Sequence, residues 1–169
     1  MSFLQTILRR DGRAVHVERR AEPVVRGIRF DGVDRARAAP GVLEAIREAD
    51  RIVICPSNPL ISIGPILAVP GIREALRERR KDVVAVCPIV GGKSLKGPSD
   101  KMMAQLGYDV SALGVAKLYA NFVRTLVIDR ADAGQADAIR CLGMEVSVLR
   151  TVMKTLAQKR RLARALCTL

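Results

Sequence analysis

The chain has 169 residues, of which 49% are hydrophobic, and a formal net charge of +12 at pH 7. This length suits one ordinary domain, and this share of apolar residues argues against disorder. No apolar run approaches the roughly 20 residues of a membrane-spanning helix, and the N-terminus lacks the basic start and apolar core of a secretory signal. We therefore expect a soluble, cytoplasmic protein with no membrane partner.

The positive charge is concentrated at the C-terminal end, where no acid follows Glu145. Six basic residues lie beyond it: Arg150, Lys154, Lys159, Arg160, Arg161 and Arg164. A basic nucleic-acid-binding protein is one interpretation of this charge. Aromatic residues make up only 3% of the chain, so platforms for base stacking are scarce. A solvated basic helix or a site for a small anionic ligand is therefore the preferred interpretation.

Residues 1–35 are predicted to form an N-terminal extension or an edge hairpin, outside a core of residues 40–169 in a single α/β domain. Helical spacing links four apolar residues near the start: Phe3, Leu4, Ile7 and Leu8. Val15 and Val17 could begin a strand. The alternating segment 24–30 predicts a strand with one solvated face, at an edge or in a small appended sheet.

From residue 40 onward, predicted helices and strands alternate. Strands are predicted at 52–55, 83–87, 125–129 and 144–149. Helices are predicted to begin at the Pro-Gly pairs 40–41 and 70–71 and to occupy 66–69, 100–106, 111–122, 131–142 and 156–169. This alternation predicts an α/β fold with a Rossmann-like, mostly parallel sheet covered by helices on both faces.

Four cysteines and one histidine bear on metal and nucleophile chemistry. The cysteines are far apart in sequence, with no CxxC pair, and Cys55 and Cys87 each follow a β-branched run. Buried, reduced thiols are favoured over disulfides or a metal site. The single histidine, His16, stands between valines, which argues against a His-based metal site or a Ser–His nucleophile.

The loop 55–65 follows the first predicted core strand and holds two serines, an asparagine, a glycine and three prolines. In an open α/β sheet, a loop between a strand and a helix is a common place for an anionic ligand. Ser57, Asn58 and Ser62 offer hydrogen bonds to phosphate or sugar oxygens. The alternative role is capping, since Ser62 could cap the helix that follows.

A second loop, 88–98, also lies between a strand and a helix. Gly91, Gly92, Lys93 and Lys96 resemble a phosphate cradle, because glycines let the backbone approach an anion and lysines supply positive charge. The spacing is not that of a P-loop, and a plain turn is the alternative. Its position at the same predicted sheet edge as loop 55–65 favours binding.

No catalytic nucleophile stands out. Asp100 is predicted to cap a helix or form an ion pair. Asp129 and Asp132 follow a strand, where they could reach a divalent ion, although solvated loop positions are favoured. A transferase that acts by positioning and charge neutralisation requires no nucleophilic side chain.

Two motifs carry a resemblance to a known family. Residues 57–72, SNPLISIGPILAVPGI, and residues 90–103, VGGKSLKGPSDKMM, closely resemble the 2-phospho-L-lactate transferases of coenzyme F-420 biosynthesis, the CofD family. RGIRF at 26–30 and APGVLEAI at 39–46 fit the same family. The similarity covers nearly the whole chain.

The resemblance implies a Mg²⁺-dependent transfer of a phospholactyl or phosphoenolpyruvyl group. The donor would be a guanosine diphosphate conjugate, the acceptor the hydroxyl of the deazaflavin Fo, and GMP would leave. The resemblance also implies two sets of substrate-binding residues at the matching positions. The donor site would include Ser57, Asn58, Pro59, Ser62 and Gly64, and the phosphates would be held by Gly91, Gly92, Lys93 and Lys96.

The chain also departs from the family pattern. Family members are longer and begin with a strand and a glycine-rich loop, followed by acidic residues associated with metal and deazaflavin. Residues 1–22 match no such unit, and residues 151–155 lack expected acidic residues, so the chain resembles the C-terminal half. We therefore expect most Mg²⁺ ligands to lie outside it.

Three further expectations follow from the incomplete match. The chain would be a truncated enzyme or would work with a separate N-terminal half, and an uncovered apolar sheet edge or face would favour a homo-oligomer or poor solubility. The alternative function is a non-catalytic nucleotide-binding or assembly module. Nucleic-acid binding is a further alternative.

Overall fold

The computed structural model describes residues 6–10, 13–15 and 24–169. The strands are β1 (Thr6–Arg10), β2 (Arg13–Val15), β3 (Ile28–Phe30), β4 (Ile52–Ile54), β5 (Val83–Val86), β6 (Ile89–Val90), β7 (Lys93–Ser94), β8 (Thr125–Asp129) and β9 (Glu145–Leu149). The α-helices are α1 (Val42–Glu48), α2 (Gly64–Ala68), α3 (Ile72–Glu78), α4 (Ser99–Gln105), α5 (Ala112–Tyr119), α6 (Ala136–Arg140) and α7 (Leu156–Cys167). A π-helical turn spans Pro59–Ile63, and 3-10 turns span Val33–Arg35, Arg80–Asp82 and Arg130–Gln135.

The central sheet has four strands in the order β4-β5-β8-β9, and every neighbouring pair is parallel. Its middle strands are rich in valine and isoleucine, which suits strands buried on both faces. Helices connect the strands, as parallel pairing requires. The predicted Rossmann-like, mostly parallel α/β sheet is confirmed, and the predicted core strands differ from the observed ones by one residue at most.

Helices cover both faces of this sheet, but unequally. On one face, Ala85, Leu126 and Ile128 lie in a large core to which α2, α3, α4, α5 and α6 contribute buried residues. On the other face, Val84, Val86 and Val127 pack against Leu162 and Leu166 of α7. The predicted coverage of both faces is therefore confirmed, and the second face is covered largely by α7.

The edge strand β4 is less well covered than its neighbours. Val53 pairs in register with Val84 and lies on the α7 face of the sheet, yet its exposed fraction is 38%. Among the described residues, β4 pairs with β5 and with no other strand. This exposed apolar position agrees with the expected uncovered sheet edge, whereas oligomerisation stays a prediction.

A second, antiparallel sheet has the strand order β2-β1-β3. The helical prediction is wrong at Ile7 and Leu8, because cross-strand pairing overrides the local apolar spacing; Phe3 and Leu4 lie outside the described residues. Val15 ends β2 rather than beginning a strand, while Val17 and His16 fall outside the described residues.

The predicted strand 24–30 is shorter in the structure, since only Ile28–Phe30 forms β3. Upstream, Val25 is buried, and its backbone N–H donates to Oε1 of Gln105 in α4 at 2.8 Å instead of joining a strand. These contacts join the N-terminal segment to the core. The division into an extension at 1–35 and a core at 40–169 stays a prediction.

The predicted helix 131–142 forms in two parts, a 3-10 turn at Arg130–Gln135 followed by α6. The carboxylate of Asp129 accepts a hydrogen bond from the Ala131 N–H at 3.1 Å and caps the turn. The favoured solvated position is wrong for Asp132, whose buried side chain accepts hydrogen bonds from the distant Gly91 N–H and from Gln135 within the same turn. These local bonds favour the tighter 3-10 geometry over the first half of the segment.

All four cysteines are free thiols, as predicted, but their burial differs from the prediction. Cys87 is buried, whereas Cys55, Cys141 and Cys167 are exposed. The prediction of buried thiols is therefore wrong at three of the four positions. Cys55 is exposed because it leaves the edge strand β4, while Cys87 leaves the central strand β5.

The described helices are short, the longest being α7 with 12 residues. Among the residues that the structure describes, no single helix is long and apolar enough to cross a membrane. The segments Pro59–Ala68 and Ile72–Glu78 reach that length and composition only as a pair, bent by 91°. Both contribute buried side chains, including Leu67 and Leu76, to the large core.

Candidate functional site

A pocket of about 640 Å³ opens at the carboxyl edge of the parallel sheet. Its walls come from the segments that follow three strands, β4, β5 and β9, because the carboxyl ends of parallel strands meet at one edge. The lining residues are Pro56, Ser57, Asn58, Ile61, Ser62, Cys87, Pro88, Val90, Leu95, Lys96, Gly97, Pro98, Ser99, Thr151, Val152, Met153, Lys154 and Lys159. We call this cavity the edge pocket.

Asn58 fixes the wall that follows β4. Its side-chain Oδ1 accepts hydrogen bonds from the backbone N–H groups of Leu60 and Ile61, at 2.9 and 3.2 Å. The amide Nδ2 lies 3.5 Å from Sδ of Met102, and a thioether sulfur is a weak acceptor. The buried Asn58 amide therefore keeps donor capacity for a stronger acceptor in the edge pocket.

The segment after Asn58 forms an unusual turn. The N–H groups of Ser62 and Ile63 both donate to the carbonyl oxygen of Asn58, at 3.1 and 3.0 Å, in the π-helical turn Pro59–Ile63. Such turns occur frequently at functional sites. The alternative role of Ser62 as a helix cap is wrong, since Asn58 caps the turn and α2 begins without a side-chain cap.

Gly64 and Pro59 have packing roles in this segment. A Cβ atom at Gly64 would lie 3.2 Å from Cζ of Phe30 and 3.3 Å from the carbonyl oxygen of Pro59. Glycine thus permits the close approach of Phe30, which joins the small sheet to the core. The Pro59 ring is buried, and neither residue lines the edge pocket.

The second loop contains a hairpin, β6–β7, that the sequence analysis did not predict. Gly91 and Gly92 form its turn with φ of 57° and 74°, the left-handed values that a tight two-residue turn requires. The Gly91 N–H donates to both carboxylate oxygens of Asp132, at 3.0 and 3.2 Å. A turn role thus accounts for both glycines.

The structure divides the nine predicted binding residues into two groups. The edge pocket brings together Ser57, Asn58, Ser62 and Lys96. The other five do not line it: Pro59, Gly64, Gly91, Gly92 and Lys93. Ligand binding by any of the nine stays a prediction, and the first group has the geometry for it.

Asp100 organises the loop that carries Lys96. Its carboxylate accepts hydrogen bonds from the backbone N–H groups of Lys101 and Ser94, at 2.8 and 3.3 Å. The Ser94 hydroxyl donates to the Gly97 carbonyl at 2.7 Å. Burial alone would raise the pKa of Asp100, but these hydrogen bonds lower it below its usual value. The structural interpretation of Asp100 agrees with these contacts.

The sequence analysis missed the wall that follows β9. Oδ2 of Asp129 accepts hydrogen bonds from the backbone N–H of Thr151 at 2.8 Å and from its hydroxyl at 3.1 Å. Burial alone would raise the pKa of Asp129, but its hydrogen bonds, including those from Ala131 and Thr151, lower it. The available signal was topological, because the loop after a fourth parallel strand must meet the same edge.

The electrostatics of the edge pocket favour an anion. Among the residues that the structure describes, Lys96, Lys154 and Lys159 line it, and no aspartate or glutamate does. None of the three lysines forms an ion pair with another described residue. No described acid therefore compensates their positive charges, and the same cavity also offers serine, threonine and asparagine donors.

Cys87 is the thiol that lines the edge pocket. Its Sγ donates to the Ile89 carbonyl at 3.3 Å, and burial raises its pKa to about 12. The thiol is therefore protonated at neutral pH, when a cysteine nucleophile would need to be a thiolate. Cys87 contributes shape to the pocket and no nucleophile.

The described residues that line the edge pocket include no carboxylate to hold Mg²⁺ there. Mg²⁺ is bound through carboxylates and waters in near-ideal octahedral geometry. Asp129 and Asp132 are occupied by backbone and side-chain donors as structural anchors. Within the described part of the chain, no group of three or more His, Cys, Asp or Glu side chains could hold a metal ion. We therefore derive no step through Mg²⁺ on these residues.

Comparison with known proteins identifies the family to which the chain is related. A family profile described as 2-phospho-L-lactate transferase CofD matches residues 6–148. The chain is 45% identical to the 2-phospho-L-lactate transferase of Methanothermobacter thermautotrophicus, over 89% of this chain and 47% of that protein. The corresponding enzymes of Methanosarcina mazei and Methanococcus maripaludis are 42% and 43% identical, over 87% and 88% of this chain.

These matches also show how much of each relative's length the chain covers. The chain spans about half the length of the curated relatives that it matches, which agrees with the predicted resemblance to one half of the family enzyme. The profile match ends at residue 148, before the Thr151–Lys154 wall and α7. The motifs at 57–72 and 90–103 lie well inside it. The chain belongs to the CofD family of 2-phospho-L-lactate transferases.

Proposed function

We propose that the chain holds the guanylate-linked donor of a 2-phospho-L-lactate transferase. The donor is a guanosine diphosphate conjugate, and its phospholactyl or phosphoenolpyruvyl group passes to the hydroxyl of the deazaflavin Fo, with GMP as the leaving group. The edge pocket carries this proposal: three strand ends enclose a cavity whose described lining includes three lysines, none ion-paired with a described acid, and no carboxylate. Its volume of about 640 Å³ is within the usual range for a small-molecule or cofactor site.

In the transfer, the acceptor oxygen forms a bond to the phosphorus of the transferred group, and the bond from that phosphorus to the GMP oxygen breaks. The hydroxyl proton passes to solvent. The lysines at the edge pocket reduce the negative charge that develops on the departing GMP. Asn58 and Ser57 orient the donor by hydrogen bonds, and no covalent intermediate on this chain is required.

The proposal also includes a requirement for Mg²⁺ in the transfer. Mg²⁺ would balance the charge of the diphosphate, as divalent ions do in phosphoryl transfer. Since no carboxylate is among the described residues that line the edge pocket, we assign its ligands to the part of the relatives' length that this chain does not span. Acceptor-binding residues are assigned to the same part.

The β4 edge is where we propose that this additional part joins, either in the same polypeptide or as a separate one. β4 is an edge strand of the four-stranded parallel sheet. The exposed Val53 side chain shows that this edge is only partly covered. If a further strand paired with the free side of β4, loop 55–65 would lie at the point where the strand order reverses. Ligands of open α/β sheets bind at that point.

Binding without transfer is the second candidate function for this chain by itself. The half-length match to the curated relatives favours it. A homo-oligomer could cover the β4 edge in this case. A cytoplasmic location stays a prediction in either case.

Thermal-shift titration tests the proposal, first with GDP and then with Fo, each with and without Mg²⁺. We expect GDP to raise the melting temperature of the chain, and Lys154→Gln to reduce that rise. Lys117→Gln is the matched control, because Lys117 is exposed on α5 and does not line the edge pocket. A rise with GDP, together with product formation when the chain is incubated with the guanosine diphosphate conjugate, Fo and Mg²⁺, would support transfer by this chain. A rise without product would support binding alone, and no rise with GDP would contradict the donor-site proposal.

A further inference from the structure

A second cavity, of about 240 Å³, lies against α7 and shares no lining residue with the edge pocket. It is lined by Arg130, Leu149, Arg150, Arg161, Leu162 and Ala165. Three of these six residues are arginines, and they come from three parts of the fold: the end of β8, the end of β9 and α7. We call this cavity the arginine pocket.

Strand register brings two of the arginines together. Asp129 of β8 pairs with Leu149 of β9, so Arg130 and Arg150 follow at the ends of adjacent parallel strands. Neighbouring strands lie about 4.8 Å apart. The hydrogen bonds from Thr151 to Asp129 hold the two chain segments in place immediately beyond the sheet.

The third arginine is positioned by helix packing. Leu162, the neighbour of Arg161 in sequence, is 3% exposed and anchors α7 on the sheet. Arg161 therefore projects beside the buried stripe of the helix and reaches the cavity above β8 and β9. Arg164 lies on the same helix and is exposed like Arg161, but it does not line the cavity.

The positive charge in the arginine pocket has no partner among the described residues. Elsewhere on the surface, Arg79, Arg124 and Arg140 each form an ion pair with a carboxylate. Arg130, Arg150 and Arg161 form neither an ion pair nor a side-chain hydrogen bond with any described residue. The nearest acid in sequence, Asp129, is occupied by Ala131 and Thr151.

We propose that the arginine pocket binds a phosphate-type oxyanion. Adjacent like charges repel, and a bound anion would remove that repulsion. Guanidinium groups match the geometry of phosphate oxygens with paired, charge-assisted hydrogen bonds. A cavity of about 240 Å³ is below the usual range for drug-sized ligands, so it suits one phosphate or pyrophosphate group.

This proposal does not depend on the proposed transferase function. Arg150 and Arg161 lie beyond residue 148, where the family match ends. The phosphate group could be a free anion or part of a larger phosphate ester that projects from the cavity into solvent. Both sources offer the same oxyanion to the three guanidinium groups.

Calorimetric titration of the full chain tests the arginine pocket, with inorganic phosphate, pyrophosphate and chloride at constant ionic strength. We expect phosphate or pyrophosphate to bind and chloride to give no saturable signal. Arg161→Gln should weaken phosphate binding at least about tenfold, the loss expected for a charge-assisted hydrogen bond. Arg164→Gln, the control on the same helix, should change it less than about twofold.

Two comparisons complete the design. Lys154→Gln alters the edge pocket alone, so the arginine-pocket affinity should persist in this variant even if GDP binding is lost. Glycerol 3-phosphate serves as the ester probe, and tighter binding than phosphate would indicate an esterified source. Circular dichroism confirms that each variant is folded. Equal phosphate affinities in Arg161→Gln and Arg164→Gln, or no saturable binding of any phosphate probe, would overturn the proposal.

Discussion

The carboxylate oxygen Oδ2 of Asp129 accepts two hydrogen bonds from Thr151, one from its backbone N–H at 2.8 Å and one from its hydroxyl at 3.1 Å. These bonds tie the end of β8 to the segment that follows β9. One side of that segment forms a wall of the edge pocket, and its other side leads into the arginine pocket. A single side-chain contact therefore positions parts of both candidate sites.

Loss of the Thr151 hydroxyl should loosen this connection. Thr151→Val keeps the shape of the buried side chain and the backbone N–H bond but removes one hydrogen bond to Asp129. We expect the free energy of unfolding to fall by about 1–2 kcal/mol, measured by urea denaturation. Thr168→Val, at the exposed end of α7, is the control and should change stability by less than about 0.5 kcal/mol. Equal effects of the two substitutions would contradict the anchoring role of Thr151.

The same contact predicts a pH dependence. The pKa of Asp129 is lower in the folded chain than in the unfolded chain, so its ionised form stabilises the fold. That stability is fully present above the unfolded pKa of about 3.9 and is lost as the pH falls through the folded pKa. Asp129→Asn should therefore destabilise the chain at pH 7, and the difference from wild type should shrink in acid. A difference that stays constant from pH 7 to pH 3 would exclude this linkage.

Asp132 should be more important for stability than its loop position suggests. It is 3% exposed and accepts hydrogen bonds from the Gly91 N–H and from Nε2 of Gln135. Asp132→Ala leaves these donors without their acceptor, so we expect a loss of about 2–3 kcal/mol in unfolding free energy. Hydrogen exchange at the Gly91 amide should accelerate in parallel. Asp137→Ala, at an exposed aspartate, should leave that amide unchanged.

The four thiols should separate into two reactivity classes. Cys55, Cys141 and Cys167 are exposed, whereas Cys87 is buried and has a pKa raised to about 12. With a disulfide reagent at pH 8, three thiols should react quickly and the fourth only when the chain unfolds. Cys87→Ser should remove the slow phase and leave the fast one. Four fast thiols in the folded wild type would show that Cys87 is accessible.

Much of the core could be predicted from sequence because its signals are local. The β-branched runs at 83–87 and 125–129 form the buried strands, and Gly71 ends the turn before α3 as the Pro-Gly pair indicated. Parallel topology then placed the loops after β4 and β5 at one edge, where the edge pocket lies. These features depend on periodicity and on general rules of chain connection.

The remaining features depend on contacts between residues that are distant in sequence. Gly91 looked like part of a phosphate cradle because its bond to Asp132, 41 residues away, has no local signal. Ile7 and Leu8 had helical spacing, yet pairing with β2 and β3 made them part of a strand. The side of α7 that Arg161 presents to the arginine pocket follows from how Leu162 and Leu166 seat the helix on the sheet.

The central claim is that the edge pocket binds the guanylate donor through its lysines, and GDP affinity measured by calorimetry tests it most directly. Lys154→Gln and Lys159→Gln should each weaken GDP binding about tenfold, since each removes one charge-assisted contact to phosphate. Lys117→Gln, which alters the surface outside the edge pocket, should leave the affinity within about twofold of wild type. Wild-type GDP affinity in both Lys154→Gln and Lys159→Gln, or no GDP binding by the wild-type chain, would contradict the claim.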